Sequence, residues 1–323
     1  AIRHSSISNT GNSSGVLPFA KIYDAAISCV DQGGKRNGAM TITLVDWHID
    51  FLDFIQCRDN YTHNGIRLKQ ANICAYISSE FMRRVRENKE WTLFCPSKAV
   101  MEIDGVEVKL IEKHSRDFDH YYKLFESEAA RRQEEYGTIT VIVLELEKTL
   151  NVRQGTPDEL MRYHKLIQLR TKLRKKLIVH KRVNATDVYE KLCDMHMKSS
   201  MPYIVYRDTV NYKNNMKNIG TVEGLNLCLE ITEPSTPDSI ASCNLGHINL
   251  KRFVKAPCVA HNYAECYDFV GLGEAAKSLV RNLNKVIDFN RYPLDEYDKI
   301  GKCTKRGKIS LPNFRNRPLG IGV

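Results

Sequence analysis

Apolar positions along the chain alternate between helical and extended spacing. Val16 to Val30 sets Leu17, Ile22, Ala26, Ile27 and Val30 on one side of a helix, and Met40 to Val45 is a short β-branched and apolar run that reads as a strand buried on both faces. Residues 46–60 carry Trp47, Ile49, Phe51, Leu52 and Phe54 at helical spacing, and Ala75 to Glu90 reads as a further helix with Phe81, Met82 and Val85 inward. Trp91 to Pro96 and Pro202 to Tyr206 are strand-like, Asp117 to Tyr136 is amphipathic and charged, and Thr138 to Leu146 (TITVIVLEL) has strand composition. Leu272 to Asn290 stripes Ala275, Leu279, Leu283, Val286 and Ile287 along a helix. Helices interleaved with short buried strands predict an α/β fold. No internal repeat is visible.

Glycine and small polar residues punctuate this pattern. Residues 5–15, SSISNTGNSSG, form an exposed loop with no core of its own. Asp31 to Ala39 (DQGGKRNGA) holds three glycines and two cations, a loop whose backbone amides can approach an anion.

At 323 residues, 42% hydrophobic and 27% charged, the chain can bury a large core as one large domain or two modest ones. Its uncharged apolar runs, such as Thr138 to Leu144, fall far short of the roughly 20 residues of a membrane helix. Mean hydropathy is −0.39, so a soluble protein is expected. Position 1 is Ala in a polar stretch without a basic-then-apolar leader, which reads as a piece of a longer protein carrying no secretion signal. The ten cysteines include no CxxC pair, arguing against a zinc ribbon or a secreted disulfide scaffold and for free, buried thiols in a reducing compartment.

The net charge of +10 is concentrated. Lys165 to Arg182 holds eight Lys or Arg and no acid, on an amphipathic helix announced by Thr156, Pro157 and Asp158. It lacks interleaved aromatics for base stacking, so a solvated face is favoured over a nucleic-acid interface. His48 beside Trp47 is favoured as a hydrogen-bonded structural histidine over a site residue.

Candidate chemistry lies in Gly224 to Ile231, GLNLCLEI. In an extended chain Asn226, Cys228 and Glu230 would project to one side while Leu225, Leu227, Leu229 and Ile231 anchor the other. A carboxylate beside a thiol in a partly apolar place disfavours the thiolate, leaving a poor nucleophile but a suitable hydrogen-atom donor and acceptor. Cys243, in IASCNLGHINL, could enter the same pocket from a second buried strand. On spacing alone, an edge strand with Asn226 and Glu230 facing water and two core cysteines is the favoured reading.

The segments NTGNSSGVLPFAKIYDAAISCVDQGGKRNGA, DWHIDFLDFI, PYIVYRDTVNYKNN, NLCLEI, SCNLGHINL, LVRNLNKVIDFNRYP and RPLGIGV, in order and spacing, resemble the large catalytic subunit of aerobic class I ribonucleotide reductases. The resemblance leaves out about residues 138–175, an expected insertion that contains much of the basic helix. It implies part of a ten-stranded α/β barrel made of two parallel half-sheets, with a central finger loop carrying the radical cysteine. Residues 1–230 would be the first half-barrel, incomplete at its N-terminus, and 231–323 the start of the second, incomplete at its C-terminus, with Thr232 to Asp238 leaving the finger.

By the same resemblance Cys228 matches the cysteine that becomes a thiyl radical and takes the 3′ hydrogen of the ribose. Glu230 matches the base toward the 3′ hydroxyl, Asn226 the amide holding the substrate hydroxyls, and Cys243 one of two thiols that end as a disulfide. Arg3 matches a residue on the phosphates of an allosteric effector, with Ser8 and Asn9 in the effector loop. Asp31, Gln32 and Arg36 match the loop that carries effector identity to the substrate base. The resemblance implies a ribonucleoside diphosphate substrate, deoxynucleotide and ATP effectors, a homodimer of the large subunit, a thioredoxin or glutaredoxin reductant, and a cytoplasmic location. No cofactor or metal would be bound directly, the radical coming from a metal-containing small subunit. Membrane and nucleic acid are not expected partners. The second reducing cysteine, part of the phosphate site, the radical-path tyrosines and the cysteine tail would lie outside these residues, so the chain by itself is expected to have no turnover. The alternative is a non-catalytic homologue or split-gene half that acts as an assembly partner.

Overall fold

Asn72–Ile77, NICAYI, is buried at every position after its first residue. In the computed structural model, which describes residues 6–7, 11–31, 34, 37–59, 66–152, 155–255 and 263–322, it is the central strand of a parallel three-stranded sheet. Thr41–Val45 flanks it with Thr41 opposite Asn72, and Tyr203–Tyr206 flanks it on the other side with Cys74 opposite Tyr203. The helix expected over 75–90 is therefore corrected: the chain stays extended to Ile77, and Ser78 then caps the helix Ser79–Arg86 by accepting from the Phe81 amide at 3.2 Å. A run apolar on all sides has no period to separate strand from helix, and Ser78 supplies the break. Thr41–Val45 is a strand as expected, but each of its residues is half-buried rather than buried on both faces, since it ends the sheet order. The helix expected over 46–60 shrinks to Phe51–Gln56, with Asp46 to Asp50 in turns.

The chain divides into two compact units, Ala1–Lys213 and Asn214–Val323. In the first, Glu90–Phe94 pairs antiparallel with His180–Asn184, so everything between leaves the sheet region and returns to it. This excursion begins with the hairpin Val100–Ile103 and Val106–Lys109, turned at Asp104 and Gly105, both with positive φ. Two long helices follow, Ser115–Val152 and Pro157–Lys176.

The first of these helices is fixed at its start by aromatic packing. Phe118, Tyr122 and Phe125 are fully buried, Tyr122 stacks on Trp91 at 4.3 Å between centroids, and its hydroxyl accepts from the Thr92 amide at 2.7 Å and donates to the Thr92 carbonyl at 2.9 Å. Thr138 to Leu146, expected as a strand, continues this helix. The β-branched residues give up only a few tenths of a kcal/mol each in a helix, and Thr138 and Thr140 bond back to the carbonyls of Glu134 and Tyr136 at 3.0 and 2.7 Å. The basic helix opens with a capping box between Thr156 and Glu159, and no residue of it is buried.

The second unit holds the parallel pair Asn244–His247 and Leu319–Gly322, joined through the helix Phe269–Phe289. That helix approaches so closely that a Cβ on Gly246 would lie 2.7 Å from Leu279 Cδ1. The architecture is mixed α/β, and among the described residues the strands form separate small sheets and no closed barrel. No described helix is long and apolar enough to cross a membrane. Among the described residues eight cysteines are free, as mostly expected, but of these only Cys57, Cys74 and Cys95 are buried, and Cys266 is disulfide-bonded.

Asp24, buried on the first helix, Val16–Ser28, accepts from the amides of Lys69, Gln70 and Ala71 at 2.7 to 3.1 Å. Burial works against its ionisation, but the three amide bonds and the Lys21 charge outweigh this and hold the carboxyl below the ordinary value. Its stabilisation is therefore present above the unfolded-state pKa of about 4 and lost as pH falls through the lower folded value. Asp24→Ala is expected to cost about 2 kcal/mol or more at neutral pH. Denaturant unfolding should show the gap to the parent chain closing as the medium is acidified.

Candidate active site

GLNLCLEI does not run as an extended strand. The Leu229 amide donates to the Asn226 carbonyl at 3.3 Å, the Ile231 amide donates to Asn226 Oδ1 at 3.0 Å, and Leu229 has φ of 70°, so the segment turns on itself. An asparagine side chain offers nearby backbone amides an alternative to a strand ladder. The expected shared face of Asn226, Cys228 and Glu230 by strand alternation is thus corrected. Asn226 is half-buried, while Cys228 and Glu230 are exposed.

Two adjoining cavities organise these residues. One, of about 510 Å³, is lined by Glu230, Glu233, Cys243, His247 and Arg317; the other, of about 540 Å³, by Asn226, Glu233 and Cys243. Ile231 and Leu245 line both. Glu230 and Asn226 therefore line different cavities that share Cys243, whereas Cys228 lines neither cavity. Cys243 is half-buried and immediately precedes the strand Asn244–His247. In the parallel strand Gly320, paired with Leu245, leaves the sulfur uncovered: a Cβ there would lie 3.3 Å from Cys243 Sγ and press into Leu245.

Burial and neighbouring carboxylates act on the Cys243 thiol. Burial pushes this thiol up to about 11, with the carboxylates of Glu233 and Glu230 adding to the rise. The hydrogen bond it donates to the Asn244 carbonyl at 3.8 Å also suits the protonated sulfur. Glu233 was not anticipated. It sits in a Pro-flanked segment without periodicity, so nothing in its spacing marks it, yet it is buried and lines both cavities.

The other candidates lie in the first unit. Asp31 is exposed and accepts from the Gly34 amide at 2.9 Å, closing its own loop. Arg3, Ser8, Asn9, Gln32 and Arg36 lie outside the described residues. His48 is buried and its Nδ1 accepts from the Asp50 amide at 3.0 Å, a structural role.

The family model for the ribonucleotide reductase barrel domain matches residues 2–323. The chain belongs to that family. Within it, the chain is 31% identical over 314 residues to a ribonucleoside-diphosphate reductase large subunit of Caenorhabditis elegans, covering 97% of this chain and 30% of that protein. A large chain of Neurospora crassa is 30% identical, with 97% and 26% covered, and a large subunit of Variola virus is 30% identical, with 97% and 31% covered. The chain thus spans about three tenths of the length of these reductase-barrel relatives.

If Gly320 keeps the Cys243 sulfur open, Gly320→Val should slow its alkylation by N-ethylmaleimide several-fold while the exposed Cys29 reacts as before. Peptide-resolved mass spectrometry reads both rates in one sample.

Proposed function

We propose that this chain is the barrel core of a ribonucleoside-diphosphate reductase large subunit, which converts ribonucleoside diphosphates to deoxyribonucleoside diphosphates through a thiyl radical at Cys228. The observation that carries the reading is the family match over residues 2–323 combined with the gathering of Asn226, Glu230 and Cys243 around adjoining cavities.

In this reading the Cys228 radical takes the 3′ hydrogen atom of the ribose, forming an S–H bond close in strength to the C–H bond it breaks. Cys228 is exposed, so a ribose can reach its sulfur. Glu230 accepts the proton of the 3′ hydroxyl as the 2′ hydroxyl leaves as water, and Asn226 holds the hydroxyls in the near-contact geometry that hydrogen transfer requires. Cys243 and a second thiol supply two electrons and two protons and become a disulfide, after which Cys228 returns the hydrogen atom to the 3′ carbon. Cys243 suits this role because it remains a thiol at neutral pH.

The finer parts of the reading go with it: a ten-stranded barrel with the 226–231 turn at its central finger, built from half-barrels 1–230 and 231–323 with an insertion at 138–175. So do deoxynucleotide and ATP effectors acting through Arg3, Ser8, Asn9, Asp31, Gln32 and Arg36. The large subunit would form a homodimer, receive its radical from a metal-containing small subunit, draw electrons from thioredoxin or glutaredoxin, and work in the cytoplasm. The basic helix Pro157–Lys176 lies within the excursion between Glu90–Phe94 and His180–Asn184, which supports treating that region as an addition to the barrel.

One observation favours the assembly-partner alternative, namely that Cys228 lines neither cavity. A full-length protein carrying this chain, assayed with a small subunit and a dithiol, decides between them. Deoxyribonucleotide formation that is abolished by Cys228→Ser, with substrate binding retained, is expected. Product formed by the variant would overturn the radical assignment, and none formed by the unmodified protein would favour the alternative.

A further inference from the structure

Glu233 is 6% exposed, and its Oε2 has no hydrogen-bond partner among the described residues. Buried carboxyl groups are ordinarily paired or bonded, yet burial alone acts on this one and pushes it up to about 7. It shares two cavity walls with Cys243. The other charged or titratable side chains there are Glu230, His247 and Arg317 around the first cavity and Glu223 around the second, and Arg317 is engaged by Asp288 Oδ1 at 2.7 Å. The Cys243 sulfur meets a carbonyl oxygen at 3.8 Å, an acceptor that repels a thiolate. When this sulfur ionises, its proton needs a nearby destination.

We propose that Glu233 is a positioning residue for the Cys243 sulfur: its buried carboxyl receives the thiol proton as the sulfur becomes a nucleophile and returns it when the sulfur leaves a disulfide. The inference rests on reading Cys243 as a redox thiol. In the first direction the S–H bond breaks, an O–H bond forms on Glu233, and the electron pair stays on sulfur. In the second, an external thiolate attacks the partner sulfur of a disulfide that includes Cys243. A new S–S bond forms, the old one breaks with its electron pair passing to Cys243, and the Glu233 acid protonates that sulfur. The thiol is the reductant, the Cys243 disulfide is reduced, and no other co-reactant enters. A carboxyl that titrates close to neutrality can serve in both directions.

The test uses the 323-residue chain with Cys243 and the exposed Cys29 converted to mixed disulfides with glutathione. Reduction by dithiothreitol is followed at each cysteine by peptide-resolved mass spectrometry on both sides of neutral pH. The rate at Cys243 relative to Cys29 should show an acid-dependent limb near neutrality. Glu233→Gln should remove that limb and slow reduction at Cys243 below neutrality by about tenfold or more, and Glu233→Asp should restore it. A Glu233→Gln profile that superimposes on the parent overturns the proposal. So does a parent profile without the limb, which makes the outcome independent of whether the variant folds. Deoxyribonucleotide formation is not measured here, so a failure bears on Glu233 and leaves the Cys228 assay to judge the radical reading.

Discussion

A parallel neighbour cannot be reached by a tight hairpin, because the chain must return to the same end of the sheet before it pairs. That constraint shapes each unit separately. In the first, Thr41–Val45, Asn72–Ile77 and Tyr203–Tyr206 all run the same way, so the connections carry the helices and the long excursion that cover the sheet. In the second, Asn244–His247 and Leu319–Gly322 are parallel, and the helix Phe269–Phe289 lies in the crossover between them. Glycine matters at this crossover: Gly246 admits Leu279, and Gly320 keeps the space beside Cys243.

Buried charges hold the first unit together in ways that differ in sign. Arg84 lies beside the stacked rings of Trp91 and Tyr122, at 5.5 and 5.0 Å from their centroids, and meets Glu126 through both terminal nitrogens at 2.8 and 2.6 Å and Glu80 at 2.9 Å. It therefore couples the helix Ser79–Arg86 to the long helix that follows. Asp46 presents the opposite balance to Asp24. Its complete burial outweighs Arg207 and the Ser78 bonds and pushes it up to about 6. Its contribution to stability is consequently greatest below the unfolded-state value of about 4 and declines as pH rises through about 6.

Elements with a polar face were legible from spacing alone. Phe269–Phe289 buries Leu283 and Ile287 of its expected stripe, and the Thr156 capping box opens the basic helix as its residues announced, whereas Val16–Ser28 is helical but buries Leu17, Ala20 and Asp24 and leaves Ile22 and Ala26 of its expected stripe exposed. Misreadings fell where the pattern carries no orientation. Ile73 to Ile77 carries no polar-apolar alternation, so only its surroundings decide that it is a strand, and Thr138 to Leu146 has strand composition but is carried on by a helix already anchored at Phe118 and Tyr122. The candidate residues were legible by type and order, whereas their arrangement was not: Asn226 turns the chain through its own side-chain oxygen, an option that alternation cannot register. Glu233 had no signal of any kind, because its importance comes from burial beside Cys243 rather than from spacing.

The chemistry open to the site follows from which form of sulfur the surroundings favour. A nucleophilic cysteine needs a cation, a helix N-terminus or a neighbouring base to hold the thiolate. Cys243 has the reverse: burial, two carboxylates and a carbonyl acceptor, all of which keep the proton on sulfur. Such a thiol is slow to act as an anion but retains an S–H bond to donate, which is the property required of a group that reduces a neighbouring radical. The same surroundings would make reopening a disulfide at this sulfur difficult, since the departing thiolate would face negative charge in a partly apolar wall. A carboxyl poised between its two protonation states would lessen that difficulty, and Glu233 is the group that the fold places on that wall.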